Sequence, residues 1–153
     1  MPVAAPKTYP TVLVDNREQC PWTFPRCPSR NATLKEGDYT LEGLEDKIVI
    51  ERKSLSDFTS SITEERFERE MECLRPYRWK FIVIEANFED VAEGRYRSLL
   101  HPNAAVGLTA ALCIRDALCF FASDHTHAAD IAERLLLMAA KQIAKERNEI
   151  PTL

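Results

Sequence analysis

A carboxylate and an ammonium group stand two residues apart at Glu51 and Lys53, at the end of an apolar, β-rich run that starts at Lys47. Because side chains alternate across a strand, Glu51 and Lys53 are expected on one face and Arg52 on the other. Carboxylate oxygens are ligands that Mg²⁺ prefers, and a neighbouring lysine can contact an attacking water or a scissile phosphate. The spacing is therefore compatible with metal-assisted phosphodiester hydrolysis, in which the backbone carbonyl of Arg52 is a further candidate ligand.

One carboxylate binds Mg²⁺ weakly, so the pattern requires a partner acid. Asp38 follows Gly37 at the start of a neighbouring strand, and Asp15 ends the first strand; both are candidates, and Glu18 is a weaker one. An acid two residues before a lysine is common in a chain that is 29% charged, and many surface strands end this way. Spacing alone leaves the ordinary surface pair open.

The elements that must position these residues follow from hydrophobic pattern. Strands are predicted at residues 11–15, 38–41, 47–52, 81–85 and 118–122, with the second and third forming a hairpin. The early strands are antiparallel, and the later ones alternate with helices. The fold class is therefore α/β, with one mixed central sheet flanked by helices on both faces.

Helix starts are predicted from capping residues. Ser54 or Ser56 caps a first short helix, a charged second helix spans 63–74, and a brief third one spans 88–94. Asn103 is expected to cap the fourth helix. Asp124 or Thr126 is expected to cap the long last one.

Residues 20–32 contain three prolines and are predicted to form a loop. Its aromatic residues Trp22 and Phe24 have two interpretations. With Arg26 and Arg30 they form a basic and aromatic edge for DNA, or they clamp the loop onto the core. The clamp is the more ordinary arrangement.

Length, net charge and hydrophobic pattern limit the number of domains, the partners and the location of the protein. The 153 residues suit one domain at 11–148, with a flexible lead at 1–10 and a tail at 149–153. The net charge of −4 argues against a general nucleic-acid coat but not against a nuclease, whose acids are neutralised by cations. No stretch reads as a membrane span or signal peptide, so a cytoplasmic protein is expected.

The cysteines indicate reduced thiols. Their count is odd, their spacing is irregular, and none forms the close pairs that zinc sites need. The five are Cys20, Cys27, Cys73, Cys113 and Cys119. A metal site that combines some of them with the three histidines stays a remote alternative.

Three ordered segments carry a resemblance: residues 14–18 (VDNRE), 37–39 (GDY) and 50–54 (IERKS), the last followed by Asp57. They resemble the nuclease domain of the XPF family, a branch of the PD-(D/E)XK superfamily whose motif is GD…ERK…D. The similarity covers about residues 11–145. It implies a restriction-endonuclease-like domain and a structure-specific DNA endonuclease that uses Mg²⁺ or Mn²⁺ and cuts near duplex/single-strand junctions of the flap or fork type, in DNA repair, recombination or replication.

The resemblance also implies roles for residues. Asp38 and Glu51 hold the metal with the Arg52 carbonyl, Lys53 is the catalytic lysine, and Asp15 occupies the family's first acidic position as a catalytic and metal-binding candidate. The residues implied to contact DNA phosphates or to support the site are Arg17, Glu18, Arg52, Asp57 and Arg66. One departure is Glu70, which stands where relatives often have glutamine.

Partners follow from the same resemblance. Branched DNA is the implied substrate, and a homodimer is implied, in keeping with the alanine-rich late helices. Many relatives carry a tandem helix-hairpin-helix region or a helicase domain, for which this sequence has no room, so a separate DNA-targeting protein is a further expectation. The resemblance also implies that this endonuclease is associated with the nucleoid if it is prokaryotic and is nuclear if it is eukaryotic. The alternatives are a Holliday-junction or duplex-end nuclease of the superfamily, and a non-catalytic DNA-binding scaffold subunit.

Overall fold

A six-stranded sheet forms the centre of the protein, for which a computed structural model describes residues 8–148. The strands are β1 (Val12–Asp15), β2 (Ser29–Ala32), β3 (Tyr39–Leu41), β4 (Ile48–Lys53), β5 (Trp79–Glu85) and β6 (Leu118–Ala122). Their order across the sheet is β2-β1-β3-β4-β5-β6. β3 is antiparallel to both β1 and β4, whereas β4, β5 and β6 are mutually parallel and β2 is parallel to β1.

Five helices cover the two faces of the sheet. They are α1 (Leu55–Ser61), α2 (Glu65–Leu74), α3 (Phe88–Ala92), α4 (Pro102–Arg115) and α5 (His125–Glu146). Buried side chains of α1, α2 and α4 form one core layer, and those of α5 form the other. The predicted α/β fold, a mixed sheet between helices, is confirmed.

The alternation of β4 shows how the sequence sorts side chains between these layers. Ile48 and Ile50 pack in the layer of α5, and Val49 packs in the layer of α1 and α2 with Phe58 and Met71. All three strand residues are almost fully buried. β4 is therefore held on both faces, which gives its polar end a fixed position.

Three local predictions are wrong or incomplete. β2 was assigned to the loop at 20–32, because its sequence SRNA has no apolar alternation and three of its four residues are exposed. It forms because β1 offers it a parallel pairing edge. The fourth helix is capped by His101, whose Nδ1 accepts the N–H of Asn103, and α2 starts at Glu65, after Glu64. Pro102 occupies the first helical turn, where a missing N–H costs nothing.

Two capping predictions hold. Ser54 caps α1 through its side-chain oxygen, and Asp124 caps α5. Residues 1–7 of the predicted lead and the predicted tail at 149–153 lie outside the described residues, whereas Tyr9 packs against the core. Within residues 8–148, no helix combines the length and apolar composition that crossing a membrane requires.

Candidate active site

A cleft opens where the end of β4 meets the turn before β3 and the second half of α2. Its volume is about 320 Å³. The residues that line it are Asp15, Arg17, Glu18, Lys35, Glu36, Gly37, Asp38, Glu51, Glu70, Met71 and Leu74. The cleft brings together three of the four predicted catalytic residues, and the fourth, Lys53, lies two residues beyond Glu51 on the same strand face.

The two faces of the β4 end differ as predicted. Lys53 emerges toward α2, where its ammonium lies 3.9 Å from the carboxylate of Glu70. Arg52 emerges on the opposite face, toward the start of α5, where its guanidinium lies 3.2 Å from Nδ1 of His125. The strand end therefore supplies an acid and a lysine to one side and an arginine to the other.

Gly37 determines where Asp38 stands. Its φ of +72° is a left-handed conformation that glycine adopts without strain. A Cβ atom there would lie 2.2 Å from Cγ2 of Val49, so the turn also passes too close to β4 for a side chain. The turn delivers the N–H of Asp38 to the carbonyl of Ile50 at 2.9 Å, beside the strand that carries Glu51.

The Asp38 carboxylate is tied to the catalytic strand. Its Oδ2 accepts the backbone N–H of Arg52 at 2.8 Å, and its carbonyl accepts the N–H of Asp15 at 2.9 Å. Asp38 thus links β1 to the end of β4, and its carboxylate lies next to the peptide whose carbonyl is a candidate metal ligand.

Two neighbouring carboxyls in this cleft are balanced only in part by the Lys53 ammonium, which lowers the pKa of each. Burial raises the pKa of Glu51 to about 8, with the Asp38 charge contributing to the shift. Burial also raises the pKa of Asp38 to about 6, although the Arg52 N–H acts in the opposite direction. A divalent cation would remove both penalties, because it favours the ionised form of each acid.

The chemistry of these donors therefore fits a hard divalent metal ion. Asp38, Glu51 and the Arg52 carbonyl would hold it, and a bound Mg²⁺ or Mn²⁺ would supply Lewis acidity for phosphodiester hydrolysis. Within residues 8–148, however, no three His, Cys, Asp or Glu side chains converge into a ready-made metal group. Mg²⁺ commonly keeps several waters and takes only one or two carboxylates, so this smaller donor set remains sufficient.

The metal-free protein is expected to lose stability as the pH rises. Glu51 stays protonated in the folded state at pH values where the unfolded chain has lost that proton, so the free energy of unfolding falls between pH 4.5 and about 8. Glu51→Gln removes this titration. In EDTA it should raise the melting temperature by several degrees at pH 8 and change it little at pH 4. A variant that melts like the wild type at pH 8 would contradict the buried-carboxylate arrangement.

Asp15 has a position different from that of a free ligand. Only 2% of the residue is exposed, and its Oδ1 accepts the N–H of Leu34 at 3.0 Å. Its Oδ2 accepts Nε of Arg17 at 2.7 Å. Burial alone would raise the pKa of Asp15, but these hydrogen bonds hold it below its usual value. Asp15 organises the rim of the cleft here, and its role as a metal ligand stays a prediction.

Arg17 is the exposed arginine of this rim. Its side chain is 76% exposed while it pairs with Asp15, and the carboxylates of Asp38 and Glu51 are among the charges that raise its pKa. The predicted contact of Arg17 with a DNA phosphate is therefore sterically available.

Glu70 is the neighbour of the predicted catalytic lysine. Its carboxylate lies 3.9 Å from Nζ of Lys53 and 3.5 Å from Nε of Arg66, and it also faces the cleft. Glu70 thus adds negative charge beside Glu51. Arg66 is 73% exposed, so its guanidinium can reach solvent or a phosphate from the first turn of α2.

The Arg52 side chain holds neighbouring segments together through hydrogen bonds and is not free to bind a phosphate. Its Nε donates to Glu85 at 2.5 Å, and its Nη1 donates to Glu18 at 3.1 Å and to the carbonyl of Cys20 at 2.5 Å. Only 18% of its side chain is exposed. Of the two predicted roles, support of the site agrees with this geometry.

The Arg52 guanidinium packs against a pair of stacked aromatic rings. Trp22 stacks on Tyr39 with ring centroids 4.4 Å apart, and the Arg52 guanidinium lies 5.2 Å from the Trp22 ring centroid. Trp22 Nε1 donates to Glu85, and the Tyr39 hydroxyl donates to Glu18 at 2.7 Å. Glu85 was not predicted as a site residue; the sequence signal for it is an acid that directly follows the apolar run at 81–84.

Asp57 lies apart from these residues. It is exposed in the first turn of α1, where its N–H donates to Ser54, and it pairs with neither Arg52 nor Lys53 among the described residues. An acid at a helix start is the arrangement observed, since a carboxylate is favoured there by the helix dipole.

The 20–32 segment is clamped onto the core. Trp22 and Phe24 are 2% and 8% exposed. The buried Glu133 of α5 accepts the N–H groups of Arg26 and Cys27, both at 2.9 Å. Arg30 forms an ion pair with the exposed Glu42. The aromatic clamp is confirmed, and all five cysteines are free.

Comparison with known proteins agrees with the geometry. The family model of the ERCC4 domain matches residues 14–135. The chain is similar to XPF from Aeropyrum pernix, with a TM-score of 0.69 and 26% identity over 85% of this chain and 61% of that one. For XPF from Aeropyrum pernix in complex with DNA the TM-score is 0.70, with 27% identity over 88% and 66%.

The chain also aligns with a small part of a longer curated protein. The putative ATP-dependent RNA helicase MJ1505 of Methanocaldococcus jannaschii is 27% identical over 118 residues, which are 77% of this chain and 14% of that protein. The chain thus spans less than two thirds of each of these relatives. Because the family model covers most of the sequence, including the whole cleft, the chain belongs to the ERCC4 domain family.

Proposed function

We propose that this protein is a metal-dependent, structure-specific DNA endonuclease that hydrolyses phosphodiester bonds near duplex/single-strand junctions of the flap or fork type. The observation that carries the proposal is the placement of two half-buried carboxyls with raised pKa values, Asp38 and Glu51, beside the end of β4 that carries Lys53. The similarity to an XPF structure that holds DNA supports it. Roles in DNA repair, recombination or replication follow from such an activity.

The residues of the cleft have separable tasks in this proposal. Asp38 and Glu51 hold Mg²⁺ or Mn²⁺ with the Arg52 carbonyl. Lys53 leaves Glu70 to contact the attacking water or the scissile phosphate, where a positive charge stabilises the transition state. Arg17 contacts a flanking phosphate from the exposed rim.

The test is cleavage of end-labelled fork, flap, four-way and linear duplex DNAs, each with Mg²⁺, Mn²⁺ or EDTA. Metal-dependent cutting near the branch of a fork or flap is expected. Preferential cutting of the four-way or linear DNA would replace the proposed substrate with that of a Holliday-junction or duplex-end nuclease. DNA binding without any cutting would favour a scaffold subunit.

We also propose that the protein acts as a homodimer through an apolar patch formed by Leu118 and Phe120 of β6 with Met138 of α5. These side chains are 53%, 37% and 61% exposed. Phe81 joins them, because it contacts the Phe120 ring and lines the same surface hollow as Met138. β6 is also an edge strand, whose free backbone groups favour pairing with a second chain.

Charge in this patch should separate the subunits. Phe120→Asp or Met138→Asp is expected to convert a dimer into a monomer in sedimentation equilibrium, because each places a carboxylate in an apolar contact. Leu99→Asp is the matched control, since Leu99 is also exposed but lies far along the chain from the patch in a separate loop. A wild-type protein that is monomeric at micromolar concentration would contradict the interface.

A separate DNA-targeting protein remains part of the proposal for substrate choice.

A further inference from the structure

The loop at residues 95–101 (RYRSLLH) presents an apolar side chain to solvent. Leu99 is 103% exposed, the largest exposed fraction among the large hydrophobic residues that the structure describes. Its neighbours in the loop are two arginines and a histidine, and the loop contains no acid. Arg95 forms ion pairs with Glu89, Asp90 and Glu93. Among the described residues, Arg97 therefore carries the unpaired positive charge beside the apolar tip.

The 95–101 loop is ordered by its own hydrogen bonds. The Tyr96 hydroxyl donates to the carbonyl of Leu100 at 2.5 Å, and the Leu100 N–H donates to Oγ of Ser98 at 3.1 Å. Gly94, with a φ of +73°, packs so closely on Pro102 that a Cβ atom would lie 2.8 Å from its ring. Both ends of the loop are thus held together, and the backbone that carries Leu99 is ordered by contacts on either side of it.

The 95–101 loop lies near the carboxyl ends of β4 and β5, the same end of the sheet that carries the active site. These two strands are parallel, and the chain enters the loop after β5 and α3. Ser98 Oγ donates to the carbonyl of Thr59 in α1, at 3.3 Å. Since α1 follows Lys53 directly and rises 1.5 Å per residue, Thr59 lies roughly 6 Å along it, a distance of about two base pairs.

We propose that Leu99 is an apolar wedge that inserts beside the last base pair at a duplex–single-strand junction, while Arg97 contacts an adjacent phosphate. The proposal rests on the proposed DNA endonuclease function and gives it a junction-reading element. Leucine side chains unstack base steps when a protein presents them rigidly to DNA, and the flanking positive charge matches the phosphate backbone. Arg97 is exposed, whereas Arg95 is held by Asp90 at 2.8 Å and steadies the loop base.

The test uses a fork DNA with 2-aminopurine in the base pair at the junction, in EDTA so that no strand is cut. Unstacking by the wild-type protein should raise the fluorescence. Leu99→Asp should abolish the rise and weaken fork affinity about tenfold without weakening linear duplex binding, since a charged side chain cannot replace the apolar contact with the unstacked base. Leu99→Phe should retain the signal, because it keeps an apolar tip.

Ile114→Asp is the matched control. Ile114 is 88% exposed on α4, near the end that leads into the start of β6 at the opposite sheet edge. Both aspartate variants should melt like the wild type and keep its oligomeric state. Arg97→Ala should lower the salt dependence of fork binding by about one phosphate contact.

The outcomes separate this proposal from the proposed function. If the wild-type protein cuts forks but Leu99→Asp matches it in fluorescence and fork affinity, the wedge is wrong and the endonuclease stands. If the fluorescence rise depends on Leu99 but no strand is cut with any metal, the wedge stands and the endonuclease is wrong. A wild-type protein that produces no rise overturns the wedge and leaves Leu99 as a contact for a protein partner.

Discussion

Lys53→Ala is expected to abolish strand cleavage while the fold and DNA binding persist. The ammonium of Lys53 lies 3.9 Å from the half-buried carboxylate of Glu70 and 5.9 Å from the ring centroid of Phe67, so it borders the apolar core without being one of the side chains that form it. A positive charge at the scissile phosphate is needed in the transition state more than in the bound state. The single-turnover rate should therefore fall at least about 100-fold, as it does when an enzyme loses one stabilising group of this kind.

The measurement is single-turnover cleavage of a fork at saturating metal, beside binding of the same fork in EDTA. Lys35→Ala is the matched control, because Lys35 lines the same cleft but is exposed and lies outside the strand end. It should weaken binding slightly and leave the rate unchanged. Asp38→Asn should behave like Lys53→Ala, since the amide oxygen can still accept the Arg52 N–H while the charge is lost. Cleavage by Lys53→Ala at the wild-type rate would remove Lys53 from the active site.

Local rules predicted the centre of the site because its geometry is local. The two-residue period of a strand determines that Glu51 and Lys53 share a face and that Arg52 opposes them. The left-handed turn at Gly37 likewise directs Asp38 to that strand, and a Gly-Asp pair in the sequence indicates such a turn. Four residues of the site thus followed from spacing and from family resemblance.

The surroundings of the site could not be predicted because their partners are distant in sequence. Glu85 meets Trp22 across 63 positions, and Glu133 meets Arg26 across 107. No periodicity in either segment specifies such pairs. β2 escaped prediction for a similar reason, because its polar residues become a strand only when β1 supplies the hydrogen-bonding edge.

Arg52 contacts residues on both faces of the sheet, with its backbone on one face and its side chain on the other. Its backbone N–H binds Asp38 on the side of the cleft, and its carbonyl is a candidate metal ligand. Its side chain binds Glu85 on the other side of the strand, and it also binds Glu18, which lines the cleft. The guanidinium can therefore fix the peptide that organises the metal donors without touching DNA.

The second large effect is expected from Arg52→Lys. Lysine keeps the positive charge but lacks the planar fork, so it cannot bind Glu85, Glu18 and the Cys20 carbonyl together. The end of β4 should then lose its fixed position. The metal concentration that gives half-maximal cleavage should rise about 10- to 100-fold, the usual cost of losing a group that orients metal ligands.

Arg26→Lys separates positioning from stability. Arg26 binds Glu133 and Asp130 and ties down the same 20–32 segment, but it does not touch β4. Both variants should lower the melting temperature, because each leaves a carboxylate with fewer donors. Only Arg52→Lys should change the half-maximal metal concentration, measured per folded molecule below the melting transition and checked by direct Mn²⁺ titration. Equal shifts in the two variants would assign Arg52 to general stability, whereas a shift confined to Arg52→Lys would mean that the arginine of this motif acts on the metal site from the far face of the sheet.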